Sequence, residues 1–243
     1  MFSIYKKELS TFFGSLIGYI VIGVFLIFTG LVMWVFADTS VLEYSYASMD
    51  SLFFLAPTMF LFLIPAITMK SFAEESNNGT LELLFTKPVS ENEIVLGKFF
   101  ANLTLVLFAV LPTLVYFYSI YQLGAPKGNI DTGAVIGSYI GLMFLAAVFV
   151  AIGLFSSVLT NNQVIAFVIA IFISFFVHWG FDYISKIPAF YGIWDDFIQK
   201  FGIDYHYRSM SRGLFDSRDV MYFVSLIIVF LLLTNFILKK KKY

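Results

Sequence analysis

The chain is 243 residues long, 60% hydrophobic and only 13% charged, with a mean hydropathy of +0.88. Soluble domains carry about 25% charged residues, so this is the composition of a polytopic membrane protein, with no room for a soluble catalytic domain. Cysteine is absent, which excludes a disulfide framework, a thiol nucleophile and a thiolate metal site, while the net charge of −1 says little because the charges are unevenly spread.

Residues 1–13 place Phe2, Tyr5, Leu9 and Phe12 on one helical face, with Ser3, Lys6, Lys7 and Ser10 opposite. That is the pattern of an interfacial helix lying in the membrane plane. Charge-free runs follow at 9–37, 51–69, 99–126, 132–181 and 220–238. The first is too long for a signal-peptide core of about 7–15 residues, and it holds no Ala-x-Ala site. A span needs about 20 residues. Four runs hold one span each, and 132–181 divides at Ser156-Ser157 and Thr160–Gln163, where Thr160 and Gln163 have capping-box spacing. Six spans result. Pro57, Pro65 and Pro112 lie within the second and third and predict bends.

The polar segment 71–93 separates the second and third spans. Ser71 with Glu74, and Ser90 with Glu93, have capping-box spacing, and Asn77-Asn78-Gly79 between them is turn chemistry. Thr80 is placed to cap a short helix with Leu81, Leu84 and Phe85 on one face and Pro88 at its end. A short capped amphipathic helix between two spans is built to touch something other than lipid. A second polar segment, 182–219, sets Trp194, Phe197, Ile198 and Phe201 on one face, away from Asp195, Asp196, Gln199 and Lys200. Bracketed by Pro188 and Gly202, it predicts an amphipathic helix in the opposite interface, and Asp216 and Asp219 sit where the last span needs a cap and a first-turn acid.

Alternating six spans puts Lys6, Lys7, Lys70, Lys87, Lys98 and Lys239 to Lys242 on one side. The other side holds Lys127, Lys186, Lys200, Arg208, Arg212 and Arg218, and its first loop carries Asp38, Glu43 and Asp50 without any cation. Nine cations against six place both termini in the cytoplasm.

No ionisable residue occupies the centre of a span, which argues against a proton-driven carrier but leaves a sodium site of carbonyls and hydroxyls open. A P-loop is also missing: Gly97-Lys98 is the nearest fragment, but Asn92 and Phe99 stand where a glycine and a hydroxyl are needed. No Gly-x-Ser-x-Gly elbow supports a hydrolase. His178 and Asp182, beside Trp179 and Tyr183, read as an interfacial polar pair within an aromatic belt rather than a metal or proton site, and His206 is the only other histidine. Gly133, Gly137 and Gly141 recur at every fourth position, and Gly14 and Gly18 repeat the spacing, which predicts close helix packing within the protomer or a dimer contact.

The first polar segment resembles the cytoplasmic loop of ABC-2-type transporter permeases. In that family a Glu, then Gly-Thr-Leu-Glu-x-Leu, then Pro-Val recur between spans two and three, as Glu74-Glu75, Gly79-Thr80-Leu81-Glu82-Leu83-Leu84 and Pro88-Val89 do here. Over essentially its whole length the chain is most similar to gliding-motility-associated permeases of Bacteroidetes. The resemblance implies an all-α, single-domain membrane protein over 1–243. It would have six transmembrane helices, an N-terminal interfacial helix (1–13), a coupling helix within 71–93 and an outer amphipathic helix within 182–219. It implies that Phe72, Leu81, Leu84 and Phe85 fill a groove of a separate ATPase subunit, that Glu74, Glu75 and Glu82 pair with its basic rim, and that Gly79, Thr80 and Pro88 shape the helix ends. The chain would be no enzyme and hold no cofactor or metal, with ATP and magnesium on the partner. Implied partners are that ATPase, a second identical or homologous permease, membrane lipid and an auxiliary membrane protein of the gliding apparatus, with no nucleic acid; the implied location is the bacterial inner membrane. A non-transporting scaffold that anchors an ATPase-powered motility or secretion assembly is the alternative.

Overall fold

The computed structural model describes every residue except 37, 38, 44–46, 189–191, 193 and 243, so Asp38 lies outside the described residues. All regular structure among them is helical. Helices α1 (Phe2–Phe13) and α2 (Leu16–Trp34) meet at a 70° bend. Gly14 caps the first helix and Ser15 is extended. Gly18 lets the chain turn so sharply, because a Cβ there would lie 2.6 Å from the Phe12 ring.

α3 (Asp50–Thr68) contains both Pro57 and Pro65 and runs through Met69 into α4 (Lys70–Asn77) as one 28-residue span. This corrects the expected cap at Ser71, which lies buried inside the helix instead. No glycine or proline separates 66 from 77, so the chain continues directly into α4 although the regular helix lapses at Met69. After α5 (Thr80–Phe85), α6 (Glu91–Val110) opens on the reciprocal Ser90–Glu93 capping box read from the sequence. A 3₁₀ turn at Leu111–Thr113, centred on Pro112, joins it to α7 (Leu114–Leu123).

α8 (Thr132–Leu159) is capped by Asp131, whose carboxylate accepts from the Ala134 amide at 3.0 Å. Ser156 and Ser157 lie within α8 and do not break it. α9 (Gln163–Phe175) is capped by Asn162, which accepts from the Val164 and Ile165 amides, while the expected cap Thr160 only accepts from the Asn162 amide. The asparagine lies one residue before the helix, where its carbonyl reaches those donors; Thr160 is two residues too far. α9 widens into a π turn at Phe176–Gly180 and ends as α10 (Phe181–Ser185).

The single amphipathic helix expected next is two. α11 (Asp195–Gln199) is only 5 residues long, and it leaves Trp194, Phe197 and Phe201 exposed. Extended Gly202 then redirects the chain into α12 (Ile203–Met210), which buries Ile203, Tyr207 and Met210. Asp216 accepts from the Arg218 amide at 2.9 Å at the start of α13 (Ser217–Lys242), and Asp219 lies in its first turn, as expected.

Among the described residues five helices are long and apolar enough to cross a membrane, or six if the bent α1–α2 pair is one span. Both termini lie at the end of the bundle that carries α5, since Lys242 pairs with Glu91 at 2.7 Å and the Met1 ammonium lies 3.6 Å from Glu93. α8 forms the axis: 78% of its spanning window is buried, against 17% for α13. Close approach is written in glycine. A Cβ at Gly137 would lie 2.7 Å from Gly213, and one at Gly141 2.7 Å from Met210, so these two glycines serve close packing within the protomer. Gly133 meets only the side chain of nearby Asp131. At Gly153 a Cβ would fall 2.0 Å from Thr68 Oγ1, which makes it the tightest junction of α8 with α3.

Helices in lipid gain little from apolar burial and associate through packing and hydrogen bonds. Gly153→Ala should therefore cost about 1–3 kcal/mol by overpacking. Thermal unfolding in detergent should show a lowered midpoint that Thr68→Ala partly restores; an unchanged midpoint would contradict the contact.

Candidate functional site

The end of the bundle shared by both termini is built around α4, the turn at 78–79 and α5. Gly79 has φ +68 with open space around it, so its role is the left-handed turn itself. Thr80 is the first residue of α5 rather than its cap, and its hydroxyl donates to the Glu75 carbonyl at 3.3 Å. α5 ends at Phe85, short of Lys87, whose backbone the following Pro88 biases away from the helix. Leu81 is buried and Leu84 and Phe85 pack half-buried against the core, whereas Glu82 is exposed and Leu83 is 63% exposed. Glu74 is half-buried and Pro88 exposed.

Two expected groove-fillers are thus redirected. Phe72 is fully buried and Leu81 faces the bundle, so neither reaches a partner without unpacking the protein. The outward apolar group is Leu83, which the periodicity left aside. Glu75 is also committed inward, 2.7 Å from Lys7 and 3.0 Å from Lys98.

Lys98 is the centre of this end. Its side chain is 1% exposed, and its ammonium lies 2.7 Å from Glu8, 3.0 Å from Glu75 and 2.6 Å from the Ser71 carbonyl. Two of its N–H donors are bonded, to Glu8 and the Ser71 carbonyl, while Glu75 Oε2 faces it as an ion pair outside hydrogen-bond geometry. Its Nζ also stands 5.0 Å from the Phe72 ring centroid. Lys7 and Lys98 balance Glu8 and Glu75. Asn102, one turn on, donates to Ser71 Oγ at 3.0 Å and to the Lys98 carbonyl at 2.8 Å. Gly97 admits α1 to this surface, since a Cβ there would meet the Met1 carbonyl at 3.1 Å and Ile4 at 3.2 Å. The cluster joins α1, α4 and α6. Read alone, Lys98 is one more cation of the inner-side tally; the available signal was Asn102 four residues along the same helix.

A second tie comes from α8. Ser157 Oγ accepts from the Phe72 and Ala73 amides at 2.9 and 3.0 Å and donates to the Met69 carbonyl at 3.0 Å. The first amides of a helix lack partners within it. Ser157 therefore caps α4 from a different span. Ser76 donates to Asn161 at 2.6 Å, and Lys241 reaches the same oxygen at 3.3 Å, which fastens α13 alongside. A cleft of about 380 Å³ lies beside the cluster, lined by Lys7, Lys70, Glu74 and Thr80 above Ala66 and Leu105.

At the opposite end His178 and Asp182 do not pair with each other. The π turn draws His178 into the core against Phe149, Trp179 and Tyr207, while Asp182 pairs with Lys186 at 2.6 Å and Arg208 at 3.7 Å. The hydrogen bond to Asp182 raises the Lys186 ammonium above its usual range, and burial raises the Tyr207 phenol. His206 bonds Asp219 at 2.7 Å. Among the described residues no group of three His, Asp or Glu is placed to hold a metal. The arrangement joins α5, through α4, to α1, α6, α8 and α13.

A family model described as ABC-2 family transporter protein matches residues 2–242. No curated protein matches the chain.

Breaking a buried ion pair by removing one partner costs about 3–5 kcal/mol when the other is fully buried. Glu8 and Glu75 keep 17% and 12% side-chain exposure, so Lys98→Met should fall at or below the lower bound. Detergent unfolding should show the loss, with Lys98→Met/Glu75→Gln recovering part of it. Equal stability of the single variant and the parent would refute the role given to Lys98.

Proposed function

The chain belongs to the ABC-2 transporter family, and on that footing we propose that it is the permease subunit of an ATP-driven exporter of the gliding-motility-associated type, working as a dimer in the bacterial inner membrane with both termini and α5 in the cytoplasm. A separate ATPase holds ATP and magnesium. When it closes on nucleotide it displaces α4–α5, and the spans follow as rigid bodies to open a route along the dimer interface. The observation that carries this reading is the outward Leu83–Glu82 surface of a helix whose every other large side chain is packed into the bundle. The family match over residues 2–242 supports the permease role, and the excess of lysines at the α5 end supports the orientation.

Leu83 is the apolar anchor and Glu82 the charged contact of the docking surface. Truncating a packed interface anchor costs about 2 kcal/mol or more. Leu83→Asp should abolish co-purification with the partner ATPase while membrane insertion persists. Undiminished co-purification would refute the docking surface.

Ser157→Ala tests transmission separately. It strands two buried amides at a cost of about 1–3 kcal/mol. The ATPase should remain bound while permease-dependent stimulation of ATP hydrolysis in liposomes falls. Full stimulation in this variant would show that force does not pass from α4 to α8.

A further inference from the structure

At the end of the bundle opposite α5, a cavity of about 480 Å³ lies between α3, α12 and the π turn. Its walls are apolar: Phe53, Pro57 and Trp179 line it, and Phe54, 88% exposed on the outward flank of α3, forms its lip. Polar groups ring the mouth. Asp204 and Arg208 neutralise one another as an i,i+4 pair. Arg212 donates through Nε to the Arg208 carbonyl at 3.1 Å, but among the described residues its guanidinium pairs with no carboxylate. Asp50, in the first turn of α3, pairs with no cation among them. The two line the same cavity without pairing with each other.

His178 supplies an independent sign of a ligand. It is 1% exposed and borders the cavity, yet its Nδ1 has no hydrogen-bond partner among the described residues. Buried polar atoms are nearly always bonded, because leaving one unpaired is costly. It sits on a π turn, a rare geometry concentrated at functional sites.

We propose that this cavity binds the headgroup of a zwitterionic aminophospholipid, with its phosphate on Arg212, its primary ammonium on Asp50 and its first methylenes along Phe54 and Trp179. A guanidinium matches a phosphate with two parallel hydrogen bonds. A primary ammonium gives a carboxylate N–H donors that a quaternary ammonium lacks. A purely anionic headgroup leaves Asp50 repelled, and a purely cationic one leaves Arg212 unmatched. His178 Nδ1 then bonds an oxygen of the glycerol ester. The volume falls in the ordinary range of ligand pockets, about 300–1,000 Å³. The apolar lip lies where the acyl chains leave the headgroup for the bilayer.

Trp34→Phe/Trp194→Phe leaves Trp179 as the sole tryptophan of the full-length protein, which can then be titrated in phosphatidylcholine nanodiscs with brominated-chain lipids. Brominated phosphatidylethanolamine should quench Trp179 at a lower mole fraction than brominated phosphatidylglycerol or phosphatidylcholine. Asp50→Asn should erase the preference over phosphatidylglycerol, and Arg212→Gln should weaken both on the order of tenfold, the loss expected for a hydrogen bond to a charged group. Both side chains are exposed, so these variants keep the fold. Equal quenching by all three lipids, or an unchanged preference in both variants, would overturn the site. Displacement by soluble phosphoethanolamine would reassign it to a free phosphoester and overturn the lipid as its source. None of these outcomes bears on ATPase docking, which co-purification reads at the other end of the molecule.

Discussion

An ammonium enclosed within a helical bundle is tolerated when its N–H bonds find acceptors and its charge is balanced. Taking such an ion out of water costs several kcal/mol even after relaxation. Lys98 meets the condition through hydrogen bonds to Glu8 of α1 and the Ser71 carbonyl and through the opposing charge of Glu75 of α4. The three helices therefore form one unit. Sliding α4 against α6 by more than a hydrogen-bond length would part Lys98 from Glu75 and the Ser71 carbonyl, so on the proposed mechanism a push on α4 would move α1 and α6 with it. On that mechanism the N-terminal helix would belong to the moving body.

The same logic applies to α8 in neutral form. Ser157 satisfies amides that α4 leaves open after Met69, and Gly153 brings the two backbones close enough for that reach. Neither contact is strong alone. Together they make the central span the natural recipient of any displacement of α4, because α8 is also the most enclosed helix. α13, mostly unburied, is held at this end by Lys241 and Lys242 and by the Asn235–Asn92 contact, so its C-terminal lysines fasten it as well as marking a membrane side.

What the sequence made legible follows from the range of the interactions involved. Local chemistry read through: the Ser90–Glu93 box, the left-handed turn at Gly79, the break at Pro112 and the Asp216 cap are each decided within four residues. Ser71 and Thr160 have the right spacing for caps but the wrong surroundings. A helix already running through Met69 claims the first, and the better-placed Asn162 displaces the second. The glycine ladder at 137 and 141 has two outcomes with identical periodicity, and only the return of α12 onto α8 selects packing within one chain. Lys98 was hidden for a related reason. Its partners lie 90 and 23 residues away in the chain, so periodicity could register a charge near a membrane boundary but not its burial.

The inward turn of Phe72 and Leu81 changes what α5 is. A helix of 6 residues has almost no stability of its own in water, since nucleation is costly and few bonds repay it. Its order comes from Leu81, Leu84 and Phe85 resting on the bundle, with the Thr80–Glu75 bond behind the turn. A partner that grips Leu83 therefore pulls on side chains already embedded in the spans. The dependence runs in both directions. If the ATPase favours one arrangement of the bundle by binding α5, that arrangement must by linkage favour ATPase binding to the same extent. On the proposed docking the short helix would report the state of the spans as much as move them, because its apolar residues are spent on its own protein.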